Sequence, residues 1–131
     1  MSDRQSELPP IMITKADEQR LSALANSNAA RFPRIAHFLT QELDRAAIVS
    51  DQSPLDGVVR MGSRVTYRDE TTGRVREVTL VYPEEANINL RRISILAPVG
   101  VALIGLSVGQ TIEFQTPTRE TKSLTVLDVS K

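Results

Sequence analysis

The chain has 131 residues, 16 Lys+Arg against 16 Asp+Glu, 40% hydrophobic residues and no cysteine. This is an ordinary globular balance in a chain long enough to bury a modest core, and it excludes general disorder, a disulfide scaffold, a thiol nucleophile and a zinc ribbon. No apolar run nears the roughly 20 residues that a membrane span needs, and residues 1–10 lack the basic start and apolar stretch of a secretion signal, so the expectation is a soluble, cytoplasmic protein with no membrane partner.

Residues 1–10, polar and closed by Pro9 and Pro10, read as a frayed lead-in. From Thr14 the pattern turns helical. Thr14 is placed to cap, Asp17 follows three residues on, and Ala16, Leu21, Leu24 and Ala25 mark one face. Asn26, Ser27 and Asn28 then break the helix. A second helix starts at Pro33, whose missing N–H is harmless at a first helical position. Ile35, Phe38, Leu39, Leu43, Ala46 and Ala47 follow at spacings of three and four. Together they predict an antiparallel hairpin over 11–49, and at about 1.5 Å per residue each arm of roughly 13 residues spans only about 20 Å. Phe32, near the tip, reads either as a staple packing the turn, the favoured reading, or as an exposed contact.

Residues 50–57 carry the breakers of a linker. Beyond them the period falls towards two. Strands are predicted over 58–68 and 74–82 around a turn-rich loop closed by Gly73, with Val75, Val78, Leu80 and Tyr82 competing for the buried face. Residues 93–96 form a short strand. Ala97 to Gly100 open a small apolar helix running to Leu106, and strands over 111–115 and 123–129 complete the sheet. The expected fold class is α+β: a short helical hairpin, then a compact, mainly antiparallel β domain over 58–131 with one short helix.

Charge is even along the chain, with six cations and seven anions in residues 1–53 and ten and nine in 54–131, so free-standing binding of nucleic acid is not expected. Catalytic groupings are nearly absent. His37 has no second histidine or cysteine to work with and reads as structural. The adjacent acids Asp17 and Glu18, Asp69 and Glu70, and Glu84 and Glu85 point apart on any regular element and read as solvated charge. Gly100, Gly105 and Gly109 match neither a dinucleotide fingerprint nor a P-loop. The stretch 93–105 is almost wholly apolar and reads as a buried strand entering a buried helix. At its bend, Pro98 and Gly100 fix a loop whose small residues let another protein approach closely. Arg91 and Arg92 precede it as polar rim or solvated charge.

The hairpin, followed by Val65-Thr66-Tyr67, Val81-Tyr82-Pro83 and above all the segment 93–109, resembles the Gre family of bacterial transcription factors. The stretches Leu43-Asp44-Arg45-Ala46 and 56–65 place the likeness closest to its regulator of nucleoside diphosphate kinase branch. The resemblance runs from about Ile11 onward. It implies an FKBP-like C-terminal domain that docks on RNA polymerase at the rim of the secondary channel, and a coiled coil pointing into that channel. The docking residues so implied are Arg92, Ser94, Leu96, Ala97, Pro98, Val99 and Gly100. Pro98 matches the family's docking proline, while Leu96 stands where Gre factors carry an acidic residue two positions before it.

Gre factors that stimulate transcript cleavage hold a second Mg²⁺ with acidic residues at the hairpin tip, the chemistry of a two-metal displacement. Residues 26–33 contain no carboxylate, and the arm is short. The expectation is therefore a non-catalytic regulator, a monomer without cofactor, that binds RNA polymerase core and competes with Gre factors. Nucleic acid is then reached only through the polymerase. The alternatives are a Gre-type cleavage-stimulating factor, a regulator acting directly on a nucleotide-metabolising kinase, and an FKBP-like prolyl isomerase. The last needs an aromatic-lined pocket, and the chain has two tyrosines and three phenylalanines.

Overall fold

The fold is that of a computed structural model, which describes residues 8–116 and 118–130. Strand β1 (Met12–Thr14) leads directly into helix α1 (Lys15–Asn28), and the Thr14 hydroxyl caps it by accepting from the Asp17 N–H at 3.3 Å. The predicted break at Asn26 does not occur. Ser27 Oγ and Asn28 Nδ2 both donate to the Leu24 carbonyl, at 3.0 and 2.8 Å, and the polar residues finish the last turn from within. Helix α2 (Pro33–Arg45) begins on its proline as expected. It ends earlier than predicted, because Ala47 opens strand β2 (Ala47–Val49), which pairs in parallel with β1. The Ala47 N–H goes to the Ile11 carbonyl at 2.9 Å. The hairpin thus returns to the strand that launched it.

Residues 1–7 of the expected lead-in lie outside the described residues; 8–10 are tied down, which corrects the frayed reading. Leu8 packs against the core, the Pro9 carbonyl accepts from Arg45 Nη1, and the Pro10 carbonyl accepts from Gln110 Nε2 at 3.1 Å. In the linker, Asp51 Oδ1 accepts from the Ala16 N–H at 2.9 Å, serving one of the orphan donors at the start of α1.

The second sheet is five-stranded. It comprises β3 (Arg64–Asp69), β4 (Val75–Val81), β5 (Arg92–Ser94), β6 (Thr111–Gln115) and β7 (Thr121–Ser130), in the order β5-β4-β3-β7-β6. Its ladders are antiparallel except β4 with β5, so the sheet is mixed. The predicted strand over 58–68 is two pieces. Val59 bonds to the chain beyond the short helix α3 (Pro98–Leu103), its N–H reaching the Leu106 carbonyl at 2.8 Å, and a turn closed by Ser63 precedes β3. Helix α3 itself stops at Leu103, short of the expected Leu106. Opposite Thr66 and Tyr67, β7 carries a bulge that takes up Leu127.

One hydrophobic cluster runs through both parts of the chain. Leu21, Ala25, Leu39 and Leu43 of the hairpin join Val65, Leu80, Ile95, Leu103, Leu106, Ile112 and Val126. Each leucine buried in this way contributes about 2 kcal/mol. The base of the hairpin therefore lies on the sheet. Phe38 stacks on Phe114 with ring centroids 6.3 Å apart, and the Arg20 guanidinium lies 3.6 Å over the Tyr82 ring while pairing with Glu84 at 3.3 Å. Along β4 and just beyond it the burial differs from the alternating expectation: Leu80, Val81 and Tyr82 are all buried, while Val75 is 57% exposed.

Candidate functional site

The segment expected to dock leaves edge strand β5 and turns into α3, and its shape follows from local bonding. The Ser94 hydroxyl accepts from the Leu96 N–H at 2.9 Å, and the Ser94 carbonyl accepts from the Ala97 N–H at 3.0 Å. This is a serine turn. Ala97, extended as the residue before a proline must be, caps α3 with φ −77° and ψ 147°, and Pro98 is the first helical residue. Gly100 sits so close beneath that a Cβ on it would lie 2.2 Å from the Ser94 carbonyl oxygen. Glycine is required by proximity here, and the helix is thereby pressed onto the turn.

Of the seven residues singled out, Arg92 is exposed, and Ser94, Leu96, Ala97, Pro98 and Val99 are half-buried. Leu96 and Val99 lean on the core. Gly100 is buried, so its part is to set the loop's shape, not to touch a partner. The crest that remains is Ala97 and Pro98, with grooves on either side. Pro98 helps line one of about 940 Å³ between α2 and β6, alongside Phe38, His37 and Phe114. Ala97, Ser94 and Arg92 help line the other, of about 1000 Å³, between β4 and the loop joining β4 to β5. Arg74, Arg76 and Ile88, also in that second groove, carry no motif, and only their shared place in the fold brings them out.

His37 is exposed on the wall of the first groove. Phe32 is 48% exposed with the Arg31 guanidinium 5.4 Å above its ring, so it is not a staple; α2 starts without any side-chain cap. The carboxylates of the hairpin all lie at its base: Asp17 and Glu18 in the first turn of α1, Glu42 and Asp44 in the last of α2. Glu42 is buried, and its two carboxylate oxygens accept from Nε and Nη2 of the Arg45 guanidinium, each contact 2.9 Å. Asp17 is held above the ordinary carboxylate range by burial, a rise opposed by Arg60 and by a hydrogen bond from the Met61 N–H. Burial also raises Tyr82, and the nearby Asp17 charge adds to it. The Tyr82 hydroxyl is buried with no hydrogen-bond partner among the described residues.

Among the described residues no three His, Cys, Asp or Glu side chains gather to hold a metal ion, and no helix is long and apolar enough to cross a membrane. Tyr67, Tyr82 and Phe114 are buried, so their rings belong to the core.

Two family descriptions match the chain: the Rnk N-terminus over residues 9–49, and the transcription elongation factor GreA/GreB C-terminal domain over residues 52–131. A regulator of nucleoside diphosphate kinase from Escherichia coli K12 is 39% identical across 92% of this chain and 89% of its own length. A transcription elongation factor GreA from Beijerinckia indica is 37% identical across 87% of this chain and 78% of its own. Among solved structures, the prokaryotic transcription elongation factor GreA/GreB from Nitrosomonas europaea superposes with a TM-score of 0.72 at 35% identity, covering 92% of this chain and 99% of that one. These matches join the same two halves that the hairpin and the sheet form here. The chain belongs to the Gre family of transcription factors, in the branch of the regulators of nucleoside diphosphate kinase.

Proposed function

We propose that the chain is a non-catalytic regulator of transcription that docks on bacterial RNA polymerase near the secondary channel and competes there with Gre transcript-cleavage factors. In this reading the hairpin over 11–49, the linker over 50–57 and an FKBP-like domain over 58–131 act as probe, joint and dock. The crest of Ala97 and Pro98 makes the central contact, with Arg92, Ser94, Leu96 and Val99 around it and Gly100 shaping it from below. A half-exposed apolar crest on a loop fixed by its own hydrogen bonds suits binding, since little order is left to impose on contact.

The observation that carries the non-catalytic part is the placement of charge in the hairpin. Its four carboxylates lie at the base, while the tip over 26–33 offers Arg31, Phe32 and neutral residues. A probe that is to bring a cation to a phosphodiester needs oxygen ligands where it arrives. Helices of 14 and 13 residues reach only about 20 Å. The regulator then works by occupying its site, acts as a monomer in the cytoplasm, and meets nucleic acid only through the polymerase.

The test is core polymerase challenged with this protein and a Gre cleavage factor together. The expected result is retention of the protein, displacement of the Gre factor, and less RNA cleavage as the protein is added. Undiminished binding of the Pro98→Asp variant would exclude the docking loop, and trimming of backtracked RNA by the protein alone would exclude a non-catalytic role.

A further inference from the structure

The groove beside Ala97 has a composition that the fold does not explain. Arg74, Arg76, Arg91 and Arg92 surround it, against a single carboxylate, Glu77. None of the four guanidiniums makes an ion pair among the described residues, although Arg20, Arg45 and Arg68 elsewhere each find a carboxylate. Beside them stands Ile88, 90% exposed. Ile88 is held out by its own turn: the Asn87 side chain accepts from the N–H groups of Asn89 and Leu90 at 3.0 and 3.3 Å. Arg91 closes that turn in the left-handed region at φ 57°, a conformation uncommon for a residue with a side chain.

Unpaired arginines interleaved with exposed aliphatic side chains are what the centre and rim of a protein interface offer. A site for single-stranded nucleic acid would add exposed rings for stacking, and the one aromatic residue lining this groove, Tyr67, is buried. We infer that this groove takes an acidic, aliphatic-bearing segment of the docking partner, whose carboxylates meet the arginines while an apolar side chain covers Ile88. The inference deepens the docking proposal and rests on it only for the partner's identity.

The direct test is fluorescence anisotropy with a short labelled peptide of mixed glutamate and leucine, set against a lysine and leucine counterpart and against polyuridine RNA. The glutamate peptide is expected to bind, more weakly as salt rises. The Arg74→Glu/Arg76→Glu variant should weaken it by about tenfold or more, and Ile88→Ser should weaken it without changing the salt dependence. Arg91→Gly guards against misfolding, because it removes a charge and suits a backbone already at φ 57°. Equal binding of the lysine peptide, tighter binding of RNA, or indifference to all three variants would overturn the inference.

On core polymerase the two claims separate. Release by Pro98→Asp with full retention of Arg74→Glu/Arg76→Glu would refute the groove and leave the docking loop standing. Arginine-dependent peptide binding together with full retention of Pro98→Asp would refute the docking loop and leave the groove. Release by both variants supports both.

Discussion

Replacing Gly100 by alanine isolates the physical basis of the proposed docking loop. By intrinsic preference alone the change is favourable, since alanine exceeds glycine in a helix by about 1 kcal/mol. Gly100 lies within α3 and its φ is not among the positive ones. Contact reverses the sign. The added Cβ would lie 2.2 Å from the Ser94 carbonyl oxygen and 3.1 Å from the Ile95 Cα. Both neighbours are backbone, and Ile95 N–H is itself bonded to the Val81 carbonyl at 2.8 Å, so neither swings aside as a side chain would. Forcing an extra methyl against backbone at that distance costs about 3 kcal/mol, the upper end of the overpacking penalty, which leaves a net destabilisation of about 2 kcal/mol and a fall in Tm of roughly 7 °C. Urea denaturation of the purified protein measures it, with polymerase retention as the companion reading. The displaced α3 should carry Ala97 and Pro98 with it, so binding falls further than stability explains. A Gly100→Ala variant as stable as the parent and equally well retained would refute the reasoning.

Leu39, fully buried between the hairpin and the sheet, should lose about 2–5 kcal/mol on truncation to alanine, by urea denaturation. Arg45→Met strands the buried Glu42 carboxylate and frees the Pro9 carbonyl, for a loss of about 3 kcal/mol, and the double variant with Glu42→Leu should recover most of it. The folded state holds the Asp17 proton more tightly than the unfolded chain does. The contribution of Asp17 to stability therefore falls as pH rises from about 4 towards neutrality, and Asp17→Asn should flatten that part of the stability profile while gaining at neutral pH. A variant with Ala29→Asp and Ala30→Glu should still give no cleavage of backtracked transcripts, because the arm remains about 20 Å long; cleavage would show that reach is not limiting.

What could be read from the residues follows how local each signal was. Thr14 as a cap, Pro33 as a helix start and Pro98 as another are matters of a few neighbouring atoms, and the structure has each. Asn26 to Asn28 misled because the same side chains that break a helix can bond back to Leu24 and complete one. The parallel pair of β1 and β2 was invisible, since three residues on each strand gain meaning only when the hairpin closes. Phe32 stands where a staple would, yet it is 48% exposed with the Arg31 guanidinium over its ring. The turn from β5 into α3 was legible through its apolar run and its proline. The arginine groove was not: Arg74 and Arg76 stand some fifteen residues from Arg91 and Arg92, and only the β4 to β5 pairing makes them neighbours.

The way the hairpin is fastened bears on how the chain meets its partner. Both ends of the α1–α2 excursion are held, one by Thr14 and Asp51, the other by the Ala47 contact to Ile11. The strand they share is bonded to Gly105 through Met12 at 3.1 Å, against a glycine with no room for a Cβ beside Ile11. The base of the hairpin is accordingly tied at both ends. Its bearing relative to the crest at Pro98 is set before any encounter, like a key whose bit and bow are cut from one blank. Lengthening the chain between 53 and 57, beyond the Asp51 tie, should therefore leave that aim unchanged, whereas a bulkier residue at 105 should skew it.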